Sequence, residues 1–346
     1  MKKITAIVLA LVMVLSLAAC GQTAPAATTA AATEPTAEPQ PTETALIVET
    51  TPPVAVNVSV LNGTTGFGMA NLMDAAAKGE ASQDYHFTVE TDASNIVAGL
   101  VNGSIDIAAL PTNAASTVYN KTQGGVQVVA LNTLGVLYLV TDGSVAVESM
   151  ADLEGMTVYA PAQNPSFIFQ YLCQANNVNV TIDNTYAQPA DLNTAVASGQ
   201  VSVAVLPEPL LTVARSQNPD LVVALDLTEE WDQVAYPGSL VQGCVVVRTA
   251  FAQEHHDVMV AFLEEYGASI DTMLTDVAGT AAKIEANGIF AKAKVAEKAI
   301  PNCNVCFITG EDMAAALSVF LTTMHEVAPA SVGGAVPGDD FYFIAQ

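Results

Sequence analysis

Two segments of the chain share one pattern, in which a helix end and a glycine lead into an apolar strand and a Leu-Pro turn. These segments are Asn102-Gly-Ser-Ile-Asp-Ile-Ala-Ala-Leu-Pro-Thr112 and Ser198-Gly-Gln-Val-Ser-Val-Ala-Val-Leu-Pro-Glu208. Short Val- and Ile-rich runs alternate with helix-length segments from about Ala55 onwards. This alternation is typical of α/β architecture with largely parallel strands. The repeat predicts that each of two α/β units carries the same strand at the same place.

The first twenty residues indicate export. Lys2 and Lys3 precede an apolar run, Ile4 to Leu17, which has the length of a signal-peptide core and is too short to span a bilayer. The ending Leu17-Ala-Ala-Cys20 resembles the bacterial lipobox, whose cysteine is lipidated. We expect residues 1–19 to be a lipoprotein signal peptide and Cys20 to be lipidated, which places the chain on the extracytoplasmic face of the cell membrane. A plain signal peptide with a chance cysteine is the alternative.

Residues 20–54 are rich in Ala, Thr, Pro and Glu and contain few large apolar side chains. Such a segment cannot bury enough apolar area to offset the entropy of ordering it. We therefore expect a disordered tether that its prolines make extended.

The formal net charge of −25 excludes several partners. A field this negative disfavours nucleic acid, anionic membrane surfaces and highly charged anionic ligands. The hydrophobic content of 51% supplies a full core for the folded part.

Four cysteines lie beyond the leader: Cys173, Cys244, Cys303 and Cys306. Cys303 and Cys306 have the CxxC spacing of a redox pair, a local disulfide or half a zinc site. A zinc site needs a second ligand pair, and the sequence has no further CxxC or HxxxH. Buried or disulfide-bonded structural cysteines are therefore the favoured interpretation, and no metal site is expected.

The chain from about Ala55 to its end resembles the type II periplasmic-binding-protein family. The likeness is to the nitrate/sulfonate/taurine and thiamine-precursor (NMT1/THI5-like, SsuA-like) branch of ABC-transporter substrate-binding lipoproteins. The segments that carry it are residues 61–69, 103–113, 133–138, 205–210 and 225–231. The resemblance implies an α/β fold of two lobes with a ligand cleft between them and closure about a hinge. Lobe 1 would take residues 55–140 and 243–346, and lobe 2 would take residues 141–242.

One loop departs from the family pattern. Relatives are expected to carry a Gly-rich, acidic loop after the first strand of lobe 2, whereas this chain has Ala160-Pro-Ala-Gln-Asn-Pro-Ser166. The ligand contacts of that loop do not transfer directly to this chain.

The first candidate ligand-binding group is a glycine-containing turn before a helix. Gly63, Thr64 and Thr65 precede the helix, and free backbone N–H groups there favour a carboxylate, sulfonate or carbonyl oxygen. Phe67 could stack on a flat ligand. The alternatives are an ordinary capped helix and a core phenylalanine.

The other candidates follow strands in both units. Thr112 and Asn113 offer neutral donors and acceptors, or they cap the next helix. Glu208, between two prolines, could pair with a ligand amine, amidine or ring N–H, or serve as a carboxylate in the first turn of a helix. The helix of lobe 2 opens with Gln163, Asn164 and Ser166, which are open to the same two interpretations.

The resemblance and these residues predict a solute receptor of an ABC importer. It would act as a monomer, bind a small, nitrogenous, neutral to cationic molecule and deliver it to a permease. The sequence shows no Ser-His-Asp order, HExxH motif or lysine suited to a Schiff base, so no catalytic residue and no cofactor are expected. An enzyme on the same fold and a ligand-sensing surface protein are the alternatives.

Overall fold

The computed structural model describes residues 52–344. The expected signal peptide, Cys20 and nearly all of the expected tether lie outside these residues. Across residues 52–344, each helix is too short or too polar to span a bilayer.

Eleven strands form in the described residues. They are β1 (Ala55–Leu61), β2 (Asp84–Glu90), β3 (Ile107–Pro111), β4 (Val126–Thr133), β5 (Leu137–Thr141), β6 (Thr157–Tyr159), β7 (Thr181–Asp183), β8 (Val203–Pro207), β9 (Val222–Asp226), β10 (Gly243–Arg248) and β11 (Val305–Ile308).

Thirteen α-helices connect and cover these strands within the same residues. They are α1 (Thr64–Phe67), α2 (Ala70–Ala77), α3 (Ala93–Asn102), α4 (Thr112–Thr122), α5 (Asn164–Ala175), α6 (Pro189–Ala197), α7 (Leu210–Gln217), α8 (Leu227–Val234), α9 (Thr249–Glu254), α10 (His256–Thr275), α11 (Val277–Ala286), α12 (Ala293–Ala299) and α13 (Gly310–Val327).

The helix α3 shows how local sequence sets the element bounds. The Asp92 side chain accepts a hydrogen bond from the backbone N–H of Ser94 and caps the first turn. The helix ends before Gly103, whose φ of 81° lies in the left-handed region that glycine adopts most easily. Gly199 repeats this feature after α6, with a φ of 73°. Both helix ends agree with the sequence prediction.

The strands form two sheets that share one strand order when the first is read from β2 towards β4, with β11 as an additional strand of the first sheet. The first sheet runs β11-β4-β10-β3-β1-β2 and the second runs β7-β6-β8-β5-β9. In the first sheet β10 is antiparallel to β3 and β4, and in the second β5 is antiparallel to β8 and β9. Each sheet therefore has parallel strands with one antiparallel strand inserted among them, and the first sheet adds the antiparallel strand β11 at its edge.

One expected boundary differs from the structure. Residues 137–140 were expected at the end of lobe 1, but β5 pairs with β8 and β9 in the second sheet. The first crossing between the sheets therefore lies between Thr133 and Leu137. The second crossing lies between α8 and β10, at residues 235–242.

The core continues from one lobe to the other. Trp231 of α8 is fully buried, and its indole N–H donates to the Ser239 hydroxyl over 2.9 Å. Its ring contacts Tyr171 of α5 and Phe320 of α13. The C-terminal helix α13 thus packs against lobe 2, and Trp231 has no exposed face for a ligand.

Candidate functional site

The sequence-predicted site residues follow the carboxyl ends of parallel strands. In the first sheet β1 and β3 are parallel neighbours, and in the second β6 and β8 are parallel neighbours. Gly63, Thr64 and Thr65 follow β1, and Thr112 follows β3. Gln163 and Glu208 follow β6 and β8 in the same way. Each group therefore lies at one edge of its sheet, the edge at which open α/β sheets bind ligands.

The first crossing brings these two edges together. Gly243 pairs with both Pro111 and Thr133 at the edge of the first sheet. Leu137, only four residues after Thr133, pairs with Pro207 at the edge of the second sheet. A chain spans at most about 3.6 Å per residue, so the two edges lie within roughly 15 Å of each other along this segment. The ends of β3 and β8 therefore face one cleft.

Thr64 and Glu208 make direct contact across this cleft. The Thr64 hydroxyl donates to the backbone carbonyl oxygen of Glu208 over 3.0 Å. Thr64 is 7% exposed and Glu208 is 5% exposed. The two lobes therefore touch here in a region that is nearly dry.

The Glu208 carboxylate is bound by its own helix. Its two oxygens accept hydrogen bonds from the Thr212 backbone N–H over 3.1 Å and from the Thr212 hydroxyl over 2.9 Å. Thr212 lies in the first turn of α7, so the carboxylate satisfies donors that the helix itself leaves free. Of the two sequence interpretations, these contacts match the helix-turn carboxylate.

Burial and hydrogen bonding act on Glu208 in opposite directions. Desolvation raises the pKa of the Glu208 carboxyl above its ordinary value. The hydrogen bonds from Thr212 and Asn302 and the charge of Arg215 lower that pKa, without cancelling the effect of burial. A cationic partner that reached this carboxylate would relieve the cost of keeping it ionised.

The turn before α1 is held by the rest of lobe 1. The Gly63 N–H donates to the Ile289 carbonyl over 3.0 Å, so this N–H is not available to a ligand. Gly63 has a φ of 90° and a ψ of −160°, a conformation that is unfavourable for residues with a side chain. The Thr65 carbonyl accepts from the Asn132 amide over 3.0 Å.

Phe67 belongs to the core of lobe 1. It is fully buried, and its ring lies edge-on to Phe290 with 6.2 Å between ring centroids. In this conformation the ring offers no face to a ligand, in contrast to the stacking role that the sequence suggested.

Thr112 is tied to the second crossing. It is fully buried, and its hydroxyl donates to the Val241 carbonyl over 2.8 Å. Asn113 beside it is half-buried. Of this pair, Asn113 is the residue with solvent access at the cleft.

The start of α5 carries an unusual amide. Asn164 is 8% exposed, and its Oδ1 atom is buried without a hydrogen-bond partner among the described residues. Gln163 before it is exposed and has a φ of 68°. Ser166 is already committed, because its hydroxyl donates to the Pro161 carbonyl and accepts from the Asn184 amide. Asn164 is therefore the buried acceptor at this helix start that has no partner.

Residues distant in sequence complete the site. The Tyr138 hydroxyl of β5 donates to the Asn302 carbonyl over 3.0 Å and so joins lobe 2 to lobe 1. The Asn304 amide donates to the Gly135 carbonyl over 2.6 Å within the first crossing. Sequence reasoning did not single out these residues; the one available signal was the Asn-Cys-Asn sequence at residues 302–304, where polar residues flank a cysteine ahead of an apolar strand.

The four described cysteines are free thiols. Cys303 is fully buried beside the cleft, with its sulfur 3.9 Å from the Thr64 hydroxyl. Burial raises the pKa of Cys303 and raises that of Cys306 to about 12, so both remain protonated at neutral pH. Within residues 52–344, no group of three or more His, Cys, Asp or Glu side chains could hold a metal ion.

Comparison with known proteins gives the fold a context. No protein-family model and no curated protein sequence matches the chain. The crystal structure of an ABC transporter from Parabacteroides distasonis is 22% identical, with a TM-score of 0.72 over 84% of this chain and 99% of that chain. The periplasmic aliphatic sulphonate binding protein SsuA from Escherichia coli is 15% identical, with a TM-score of 0.63 over 84% and 96%.

A third structure shows the same likeness. The ligand binding component of an ABC-type import system from Staphylococcus aureus, with zinc bound, is 13% identical, with a TM-score of 0.63 over 84% of this chain and 96% of that chain. Each of these three structures aligns with this chain over nearly its whole length. The expected resemblance is therefore confirmed at the level of fold. The chain has the two-lobed α/β fold of the periplasmic binding proteins of ABC transport systems.

Proposed function

We propose that this protein is an extracytoplasmic solute-binding protein of an ABC importer. One observation carries the proposal: the carboxyl ends of the parallel strands of both sheets meet at the first crossing, where Thr64 contacts Glu208. A small molecule bound there would contact both lobes, so its binding would favour closure of the lobes around it. The protein would then deliver the molecule to a membrane permease, as a carrier and not as an enzyme.

The polar groups of the cleft favour a ligand that donates hydrogen bonds. Asn164 presents an acceptor atom without a partner, and Glu208 presents a buried carboxylate. None of the residues proposed for the site is Lys or Arg, and the net charge of −25 attracts cations. A small nitrogenous molecule, neutral to cationic, matches these acceptors better than nitrate or a simple sulfonate.

The proposed binding set keeps all the predicted residues: Gly63, Thr64, Thr65, Phe67, Thr112, Asn113, Gln163, Asn164, Ser166 and Glu208. Within this set, Asn113, Gln163, Asn164 and Glu208 are proposed to touch the ligand. The remaining residues shape the cleft through the hydrogen bonds and packing described above.

Membrane attachment completes the proposal. The leader ending in Leu17-Ala-Ala-Cys20 supports lipidation of Cys20 and an anchored receptor outside the cytoplasm, which we propose acts as a monomer. Metabolic labelling with an alkyne fatty acid tests this, since Cys20→Ala should abolish the label while Cys173→Ala should leave it unchanged. A label that persists in Cys20→Ala would contradict the anchor.

A thermal-shift screen of the purified protein tests the receptor role. The panel should contain pyrimidines, amidines, polyamines, amino acids, sulfonates, nitrate and bicarbonate. A ligand that binds only the folded state raises Tm in a dose-dependent way. We expect a selective rise with a nitrogenous compound that Glu208→Ala abolishes. A rise with sulfonates or nitrate alone would overturn the ligand class, and no rise with any compound would count against the receptor role.

A further inference from the structure

A cavity of about 310 Å³ lies between an element of lobe 2 and an element of lobe 1. Its walls are Thr212, Arg215, Ser216 and Pro219, from α7 and the turn after it, and Lys298 and Asn302, from α12 and the turn after it. No motif in the sequence pointed to this cavity, and it shares none of the residues proposed to bind the imported solute.

The cavity combines two scarce positive charges. The described residues contain only eight Lys or Arg side chains, four of which form ion pairs with Asp or Glu. Arg215 and Lys298 are exposed and form no ion pair within residues 52–344. Two cations without an ion pair, one from α7 and one from α12, line the same cavity and form a local positive site on a strongly acidic protein.

The negative groups near this cavity are already engaged or offset. Glu208 does not line the cavity, and its carboxylate accepts both Thr212 hydrogen bonds. Glu297, next to Lys298 in the chain, pairs with Lys294 over 2.9 Å. Asp220 follows Pro219 and is exposed to solvent, where salt screens its charge.

The donors of the cavity suit an oxyanion. The guanidinium of Arg215 presents a planar fork that matches carboxylate and phosphate oxygens, and the ammonium of Lys298 adds a point charge. The hydroxyl groups of Thr212 and Ser216 already donate to Glu208 and to the Val213 carbonyl. Their oxygens therefore line the wall, while the two cations supply the attraction.

We propose that this cavity binds a small oxyanion with two negative charges, held between Arg215 of lobe 2 and Lys298 of lobe 1. The anion would contact both cations only when the lobes are close together. When the lobes part, the two cations would lie too far apart to share it. Its binding would therefore favour the same closed arrangement as the imported solute, a coupling that rests on the proposed function. The anion site itself stands on the charges and the cavity alone.

Titration of inorganic phosphate into the full chain, at constant ionic strength set with NaCl, tests the site. Binding is followed by the ³¹P line width and by calorimetry, with sulfate and succinate as further arms and no other ligand present. We expect saturable phosphate binding that weakens about tenfold or more in Arg215→Gln and in Lys298→Gln. Lys292→Gln removes the same charge from an exposed lysine outside the cavity and should leave binding unchanged.

The stoichiometry of binding distinguishes one bridged anion from two separate contacts. If one anion touches both cations, the wild type binds one phosphate and each single substitution weakens that same site. Two bound phosphates, of which each substitution removes one, would overturn the bridging, and equal binding by all variants or no binding above the NaCl control would overturn the site. If no phosphate binds above the NaCl control, acidic groups of a partner protein would be the groups that contact these cations. The titration needs no imported solute, so its failure leaves the receptor role standing, and failure of the solute screen leaves the anion site standing.

Discussion

The Thr64 hydroxyl donates a hydrogen bond to the backbone carbonyl of Glu208 over 3.0 Å, although 144 residues separate the two in the chain. Thr64 begins the first helix of lobe 1, and Glu208 follows the β8 strand of lobe 2. Because both residues are almost fully buried, this bond lies in a low-dielectric contact between the lobes.

Replacing Thr64 with valine should weaken the contact between the lobes. The shape of the side chain is kept while the Glu208 carbonyl loses its donor, so we expect a loss of about 1–2 kcal/mol in the free energy of unfolding. Urea denaturation measures the effect. Thr194→Val, at an exposed position of α6, is the matched control and should stay within about 0.5 kcal/mol of the wild type. Equal effects of the two substitutions would show that the contact between the lobes contributes nothing.

Glu208 should make stability depend on pH. Its raised pKa means that the folded state holds the proton more tightly than the unfolded chain does. The resulting stabilisation is complete below the unfolded pKa and is lost as pH rises through the folded pKa. The unfolding free energy of the wild type relative to Glu208→Gln should therefore fall as pH rises from the ordinary carboxyl pKa through the raised pKa of the folded state.

The control for this pH effect is Glu148→Gln, which removes an exposed carboxylate. Unfolding at several pH values compares each variant with the wild type. A difference for Glu208→Gln that stays constant, or that grows in favour of the wild type as pH rises, would contradict the dominance of desolvation.

Asn164 offers a way to separate binding from stability. Its Oδ1 is buried without a partner, and the Oδ1 of Asn193 in α6 is in the same condition. Replacing either residue with leucine removes an unsatisfied polar atom, so neither variant should lose more than about 1 kcal/mol of stability. Only Asn164→Leu should reduce the Tm rise caused by the solute. Equal loss of the solute effect in both variants would remove Asn164 from the site.

Gly66 should tolerate no side chain. A Cβ atom there would lie 2.5 Å from the Leu61 carbonyl oxygen and 2.8 Å from the Ile289 side chain. We expect Gly66→Ala to cost about 1–3 kcal/mol of unfolding free energy, measured by urea denaturation. At Gly338 the nearest atom is the end of the exposed Asp340 side chain, 3.1 Å away, so only a small shift is needed. Gly338→Ala should therefore be close to neutral, and a neutral Gly66→Ala would contradict the packing described here.

The local sequence predicted where helices and strands begin and end better than it predicted which strands pair with each other. The bounds of α3 and the glycines after α3 and α6 follow from capping and backbone conformation, which depend on residues next to each other in the sequence. The sheet to which β5 belongs depends on antiparallel pairing with β8 and β9, strands more than sixty residues away. No local pattern encodes that choice, so the lobe boundary was placed too late.

The site shows the same division. The sequence identified Glu208 because it follows a buried strand, yet a carboxylate at that position serves a helix or a ligand equally well. The bonds to Thr212 show that this carboxylate serves its helix, and each of its oxygens keeps a second lone pair for the ligand proposed above. Asn302 and Tyr138 were missed because their contact joins residues 164 positions apart.

The direction of β1 has a mechanical consequence. The described chain enters the first sheet at Ala55, and the cleft residues begin only after Leu61, so the length of β1, about 20 Å, separates the two. Parallel ladders to β2 and β3 hold β1 on both sides. Tension applied through the segment ahead of Ala55 would therefore load both ladders lengthwise, with all their hydrogen bonds in shear at once. The fold could bear a pull from that end while the cleft at the opposite end of the strand stays undistorted.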